Sequence, residues 1–175
     1  MVLRAAITVR RPADELFDFW SELSRLPEFM AHLDTVEVRP DGTSHWRALA
    51  PGGTHVEWEA RVVESERPTR LSWESVGDAD VPNSGSVWFT DAPGDRGTEV
   101  RVELDYELPG GRLAEALSRL FGEQPRQQVE DDLRRFKQVA ETGEVVRSEG
   151  SPEGTRAAAQ ARQREAQPMA AGGGE

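Results

Sequence analysis

The sequence predicts an α+β fold in which a curved antiparallel sheet of six to seven strands wraps around a long C-terminal helix, with two short helices after the first strand. Two observations carry this. Apolar and polar residues alternate through successive segments separated by Gly- and Pro-rich turns, and an amphipathic helical stripe follows the last of them. A sheet with one apolar face must bury it, and that helix has the length and the stripe to cover it. A sandwich or a closed barrel has no place for such a helix.

The elements follow in order. Residues 3–10 read as a strand, with Leu3, Ala5, Ile7 and Val9 on one face. Pro12 stands where a helix begins, and Asp14 and Glu15 suit the positive end of its dipole. Leu16, Phe17, Phe19, Trp20 and Leu23 give that helix a wide apolar face, and a second short piece over 25–30 is interrupted by Pro27. Strands are then expected at 32–39, 44–50, 55–66, 70–76, 86–90 and 99–108. One face collects Trp46, Ala48, Val56, Trp58, Ala60 and Val62 from the first half of this run. Leu71, Trp73, Val87, Phe89, Val100, Val102, Leu104 and Tyr106 continue it, while Trp88 falls out of phase and is expected outside.

The terminal helix is expected from about residue 110 to 142, broken or kinked at Pro125 and stopped by Gly143. Val129, Leu133, Phe136 and Ala140 form its stripe, and Asp131, Asp132, Arg134, Arg135 and Lys137 are assigned to the other sides. Beyond it the chain is rich in Ala, Gln, Gly, Glu and Arg with no apolar stripe. The sequence thus predicts one domain over 1–146 and a disordered tail over 147–175.

Composition narrows the function classes. A net charge of −11 argues against nucleic acid and against a flat anionic membrane surface. No stretch is apolar enough to span a bilayer, and no signal peptide is visible, so a cytoplasmic location and no stable membrane insertion are expected. With no cysteine there is no disulfide framework, thiolate metal site or cysteine nucleophile. Gly52-Gly53 and the 94–97 segment lack any phosphate-binding pattern and read as hairpin turns, so no cofactor is expected.

The five tryptophans are the informative excess. Trp46, Trp58, Trp73, Phe89 and Tyr106 share the inward face, where they serve either as ordinary core or as the wall of a cavity for an apolar ligand. Leu133 and Phe136 face them from the helix, and Phe29 and Met30 either line the mouth of the cavity or pack a short helix. His45 and His55 fall on the polar face with Glu57 and Glu59, and no metal site is expected there. His32 is the least constrained and is compatible with the pocket entrance. Catalytic residues are not identified by this pattern; the carboxylates lie mostly on the wet face, and Asp131-Asp132 beside Arg134-Arg135 reads as a solvated, ion-paired helix surface.

Several runs resemble the START/Bet v 1-like (SRPBCC) superfamily and, within it, the polyketide cyclase/dehydrase and coenzyme-Q-binding START-like group. They include residues 7–12 leading into Phe17-Asp18-Phe19, Leu26-Pro27-Glu28-Phe29-Met30, Ser44-His45-Trp46 and Val56-Glu57-Trp58-Glu59-Ala60. Leu71-Ser72-Trp73, the 84–89 segment, Gly97-Thr98-Glu99-Val100, the 121–125 segment and Asp132-Leu133-Arg134-Arg135-Phe136-Lys137 extend the likeness over roughly residues 3–150. The resemblance implies a helix-grip fold and a small hydrophobic ligand, a lipid, quinone or aromatic polyketide, held by a carrier, chaperone or sensor. It equally implies an alternative, an aromatic polyketide cyclase or dehydratase using the same cavity, with Tyr106 or a pocket histidine polarising a carbonyl or moving a proton. A third reading, an interaction module recruiting protein partners through its acidic face or tail, has no docking motif to support it.

Overall fold

The computed structural model describes residues 1–49, 53–106 and 124–143. Among them are seven strands: β1 (Val2–Val9), β2 (Leu33–Val38), β3 (Thr43–Leu49), β4 (His55–Glu66), β5 (Arg70–Val76), β6 (Asn83–Asp91) and β7 (Thr98–Tyr106). All join one antiparallel sheet in the order β1-β7-β6-β5-β4-β3-β2, curled into a half-barrel. Strands β2 to β7 lie side by side in chain order. β1 instead crosses to the far edge and pairs with β7, placing Val2 opposite Asp105 and Val9 opposite Thr98.

Helix α1 (Ala13–Ser21) starts behind extended Pro12 and buries Leu16, Phe17 and Trp20. A 3-10 turn (Leu23–Glu28) carries Pro27. Helix α2 (Pro125–Thr142) buries Val129, Asp132, Leu133, Phe136 and Val139. Its C-terminus is fastened to the end of β1. The Arg11 guanidinium donates to the carbonyls of Ala140 and Glu141, both at 3.1 Å, and Glu141 accepts the Arg10 amide at 2.8 Å. These contacts satisfy carbonyls that the last turn of any helix leaves without partners. Gly143 stops the helix in the left-handed region (φ 72°) and returns its N–H to Val139 at 2.7 Å.

Pro125, expected to break or kink the helix, occupies the first position of α2, where its missing N–H costs nothing. Three expectations are corrected. Val62 is 39% exposed, because a register shift between Val62 and Glu64 against β5 ends the inward alternation at Ala60. β6 begins at Asn83, earlier than 86, since Ser84 and Gly85 pair with both neighbouring strands despite their weak strand propensity. Asp132 is not on a solvated helix face but 5% exposed. The predicted start of the last helix near residue 110, the turn at 51–52 and the tail over 147–175 lie outside the described residues.

Candidate functional site

Three strands build one wall of a cavity. Trp46 on β3 and Trp58 on β4 are direct cross-strand partners, with ring centroids 5.7 Å apart and planes 26° from parallel. Trp73 on β5 joins them, its centroid 6.3 Å from that of Trp46 at 18°. Trp73 pairs in register with Gly85 of β6, and its indole occupies the space that a side chain at 85 would fill. The Trp46 indole N–H donates to the Ser44 hydroxyl at 2.7 Å, and that hydroxyl lies 3.3 Å from the Ala60 carbonyl.

The opposite wall comes from α2, through Val129, Asp132 and Leu133. Trp20, Phe29 and Met30 close one side, and Val102, Leu104 and Tyr106 of β7 close another. The cavity, partly open to the surface, is about 40 Å³. That suits a water molecule and not a ring, so a ring-bearing ligand enters only as wall side chains move aside. Unbranched Met30 is the wall residue best able to do so.

Of the nine residues singled out in the sequence, Trp46, Trp58, Trp73, Tyr106, Leu133, Phe29 and Met30 line this cavity. Phe89 and Phe136 do not. Both are buried behind the wall in an aromatic cluster, where Phe136 stands 5.0 Å from Trp20 and 4.9 Å from Phe29, and Phe89 stands 5.9 Å from Phe17. Phe29 belongs to both assemblies.

Sequence reasoning missed two residues of the polar end of the cavity, Asn83 and Asp132. They line it together with Tyr106 and with His32, which the sequence leaves compatible with the pocket entrance. Asp132 Oδ1 accepts from the Ala31 amide at 3.1 Å, from Gln128 Nε2 at 2.9 Å and from Arg135 Nη1 at 2.6 Å. Its other oxygen, Oδ2, lies 3.4 Å from His32 Nδ1. The signal was present, because position 132 falls three residues after Val129 and four before Phe136, inside the apolar stripe. A carboxylate inside a buried stripe must be partnered, and among the described residues these partners come from the same helix and from the segment leading into β2.

The other two histidines behave as the alternation suggested. His45 Nδ1 lies 2.7 Å from Glu59 Oε1 on the outer face of the sheet, and His55 Nδ1 lies 3.2 Å from Arg47. Among the described residues no group of three potential ligands converges on a metal position.

Tyr106 is the chain's single tyrosine, which makes its titration easy to isolate. Burial, reinforced by the charge of Asp132, pushes its phenol well above the ordinary value, so it stays protonated and acts as a donor. The expected result is no phenolate absorbance while the protein is folded, and an ordinary transition near pH ~10 once it is unfolded in denaturant. The sign follows from linkage. Above about pH 10 the unfolded chain releases this proton and the folded one keeps it, so stability falls with rising pH by up to about 1.4 kcal/mol per unit. A normal phenolate transition in the folded protein would show that Tyr106 is hydrated.

Comparison with known proteins agrees with this geometry. The family described as "Polyketide cyclase / dehydrase and lipid transport" matches residues 9–134. The crystal structure of DR_A0006 from Deinococcus radiodurans is 41% identical, covers 82% of this chain and 100% of its own, and superposes with a TM-score of 0.67. An uncharacterized 17.2 kDa protein of Streptomyces lincolnensis is 28% identical over 136 residues, covering 78% of this chain and 87% of its own. The di-domain ARO/CYC BexL from the BE-7585A biosynthetic pathway is 18% identical, with a TM-score of 0.59 over 85% of this chain and 51% of its own, and so shares the fold.

Proposed function

Because the chain belongs to the polyketide cyclase/dehydrase and lipid transport family, we propose that it binds a small hydrophobic, ring-bearing molecule in the cavity between the tryptophan wall and α2. The observation that supports this most is the wall itself. Trp46, Trp58 and Trp73 offer stacked aromatic surface on one side, and the opposite side ends in a small polar group around Asp132. Concave apolar sites with a few placed polar groups are the usual form of a small-molecule pocket. Trp46, Trp58, Trp73, Tyr106, Leu133, Phe29 and Met30 are the proposed contacts, in a carrier, chaperone or sensor for a lipid, quinone or aromatic polyketide. The absence of cysteine suits a reducing, cytoplasmic setting, and no described helix is long and apolar enough to cross a membrane.

The test uses indane, a bicyclic hydrocarbon, as probe. Saturable one-to-one binding by calorimetry is expected, with about 1.4 kcal/mol of added stability at ten times Kd. Absence of both binding and a shift in Tm overturns the reading.

One observation favours a second reading, a cyclase or dehydratase. His32 and Asp132 stand 3.4 Å apart at the edge of an apolar cavity, beside a phenol held protonated. A carboxylate that orients an imidazole sets it up to take a proton from carbon next to a ketone, with Tyr106 donating to the oxygen that gains charge. Under this reading Tyr106→Phe loses turnover of a poly-ketone substrate while indane binds as before.

A further inference from the structure

Two residues that line the cavity, Trp20 and Trp58, carry buried indole N–H groups with no hydrogen-bond partner among the described residues. Such donors are uncommon in folded proteins and call for an explanation. For Trp20 the surroundings supply one. Its ring meets Phe136 and Phe89 in T-shaped contacts, both at 74°, an arrangement that brings ring edges onto aromatic faces, which accept weakly from N–H.

Among the described residues Trp58 has no such T-shaped aromatic neighbour. Its neighbour Trp46 is stacked on it at 26°, and stacking leaves the in-plane N–H directed away from the partner's π face. The sheet also withholds a side-chain acceptor. Trp46 has Ser44 two positions away on the same face, and the two are bonded at 2.7 Å. Trp58 is flanked at the equivalent spacing by Val56 and Ala60, which are hydrocarbon. Ser44 stands opposite Ala60 in register, but its hydroxyl is engaged by Trp46 and by the Ala60 carbonyl.

We propose that the Trp58 indole N–H is the donor that selects a neutral carbonyl oxygen on the bound molecule, so that the cavity prefers ring ketones, quinones or esters over hydrocarbons of the same shape. This rests on the cavity-binding reading above. An acceptor of the ligand restores a hydrogen bond that the cavity leaves unmade, whereas a hydrocarbon leaves the donor stranded. Neutrality follows from the lining, which among the described residues holds no lysine or arginine to compensate a ligand carboxylate and already contains the carboxylate of Asp132. Free fatty acids are therefore disfavoured. The wall must move to admit a ring, and this movement is what has to bring the buried N–H within reach of the ligand.

The experiment is a calorimetric comparison of 1-indanone with indane, the same bicycle with and without a carbonyl, on the full chain and on Trp58→Phe. Phenylalanine removes the donor together with part of the indole's contact area, a loss common to both probes that their affinity ratio cancels. The expected result is that the ketone's advantage over the hydrocarbon falls by roughly tenfold, the worth of one buried hydrogen bond. Ala60→Ser is the second variant. It places a hydroxyl at the spacing Ser44 has from Trp46, and by satisfying Trp58 internally it is expected to reduce the ketone's advantage with all five tryptophans kept. If both probes bind the wild type and neither variant changes their affinity ratio, the inference fails and the cavity reading stands. If neither probe binds the wild type, the cavity reading fails and the inference with it.

Discussion

Asp132→Ala is expected to lower unfolding stability by about 2–4 kcal/mol, more than most single substitutions cost. The loss has separable parts. The Ala31 amide, at 3.1 Å, and the Gln128 amide, at 2.9 Å, lose their acceptor, and the Arg135 guanidinium loses its carboxylate at 2.6 Å. Arg135 has a side chain 37% exposed and can turn to water, which keeps the effect below that of a fully buried pair. The Ala31 amide belongs to the segment that carries Phe29, Met30 and His32 into the cavity wall, so the same substitution loosens that wall against α2. Asp132→Asn keeps the shape and one acceptor and is expected to cost about half as much. Urea unfolding of the two variants measures both. An alanine variant as stable as the wild type would mean that Asp132 does not latch α2 to the strand that follows, leaving the carboxylate to be explained by the ligand alone.

The second large effect is at Gly85. A Cβ built there overlaps the Trp73 indole, clashing with Cζ2 and standing 2.6 Å from Cε2, and it also stands 3.0 Å from Leu104 Cδ2. Gly85 lies on β6, between β5 and β7, so the backbone cannot swing away without breaking ladders on both sides. Gly85→Ala is therefore expected to destabilise by about 2–3 kcal/mol through overpacking. It should also displace Trp73 from the stack, seen as a reduced near-ultraviolet circular dichroism signal and loss of indane binding. Trp73→Leu in the alanine background makes room for the methyl and is expected to recover part of the stability, a positive coupling that a double-mutant cycle reads directly. Independent, additive effects of the two changes would show that the indole does not rest on Gly85.

These two sites mark the limit of what the sequence shows. The succession of strands along the chain, the inward positions of Trp46, Trp58 and Trp73, and the helix that covers them follow from period-two alternation, turn residues and one amphipathic stripe, all local patterns; the place of β1 beside β7 does not. Asp132 escaped because the same periodicity that selects Val129 and Phe136 also selects position 132, and a charged residue was read as solvated before its partners from residues 31 and 135 were known. Val62 escaped because a bulge is a property of two strands in register and not of either one. Phe89 and Phe136 do face inward; only the assembled structure shows that they pack behind the cavity wall, against Trp20 and Phe29, which line it. The stranded N–H of Trp58 is visible only when its neighbours are counted in space.

The crossing of β1 to the far edge of the sheet has a consequence for the order of events during synthesis. β2 through β7 can pair with each preceding strand as it emerges, but β1 waits for β7, with Val2 and Asp105 separated by almost the whole domain. At ordinary elongation rates of about 5–20 residues per second, a gap of about a hundred residues means a wait of roughly 5–20 s. Through that interval a strand carrying Leu3, Ile7 and Val9 leaves the ribosome with no partner and with its apolar face bare. α2 is later still, and it needs the end of β1 to receive its last turn. The nascent chain is thus expected to depend on chaperone cover until the final helix is released, and shortening the chain before α2 should yield aggregates and not a smaller soluble domain.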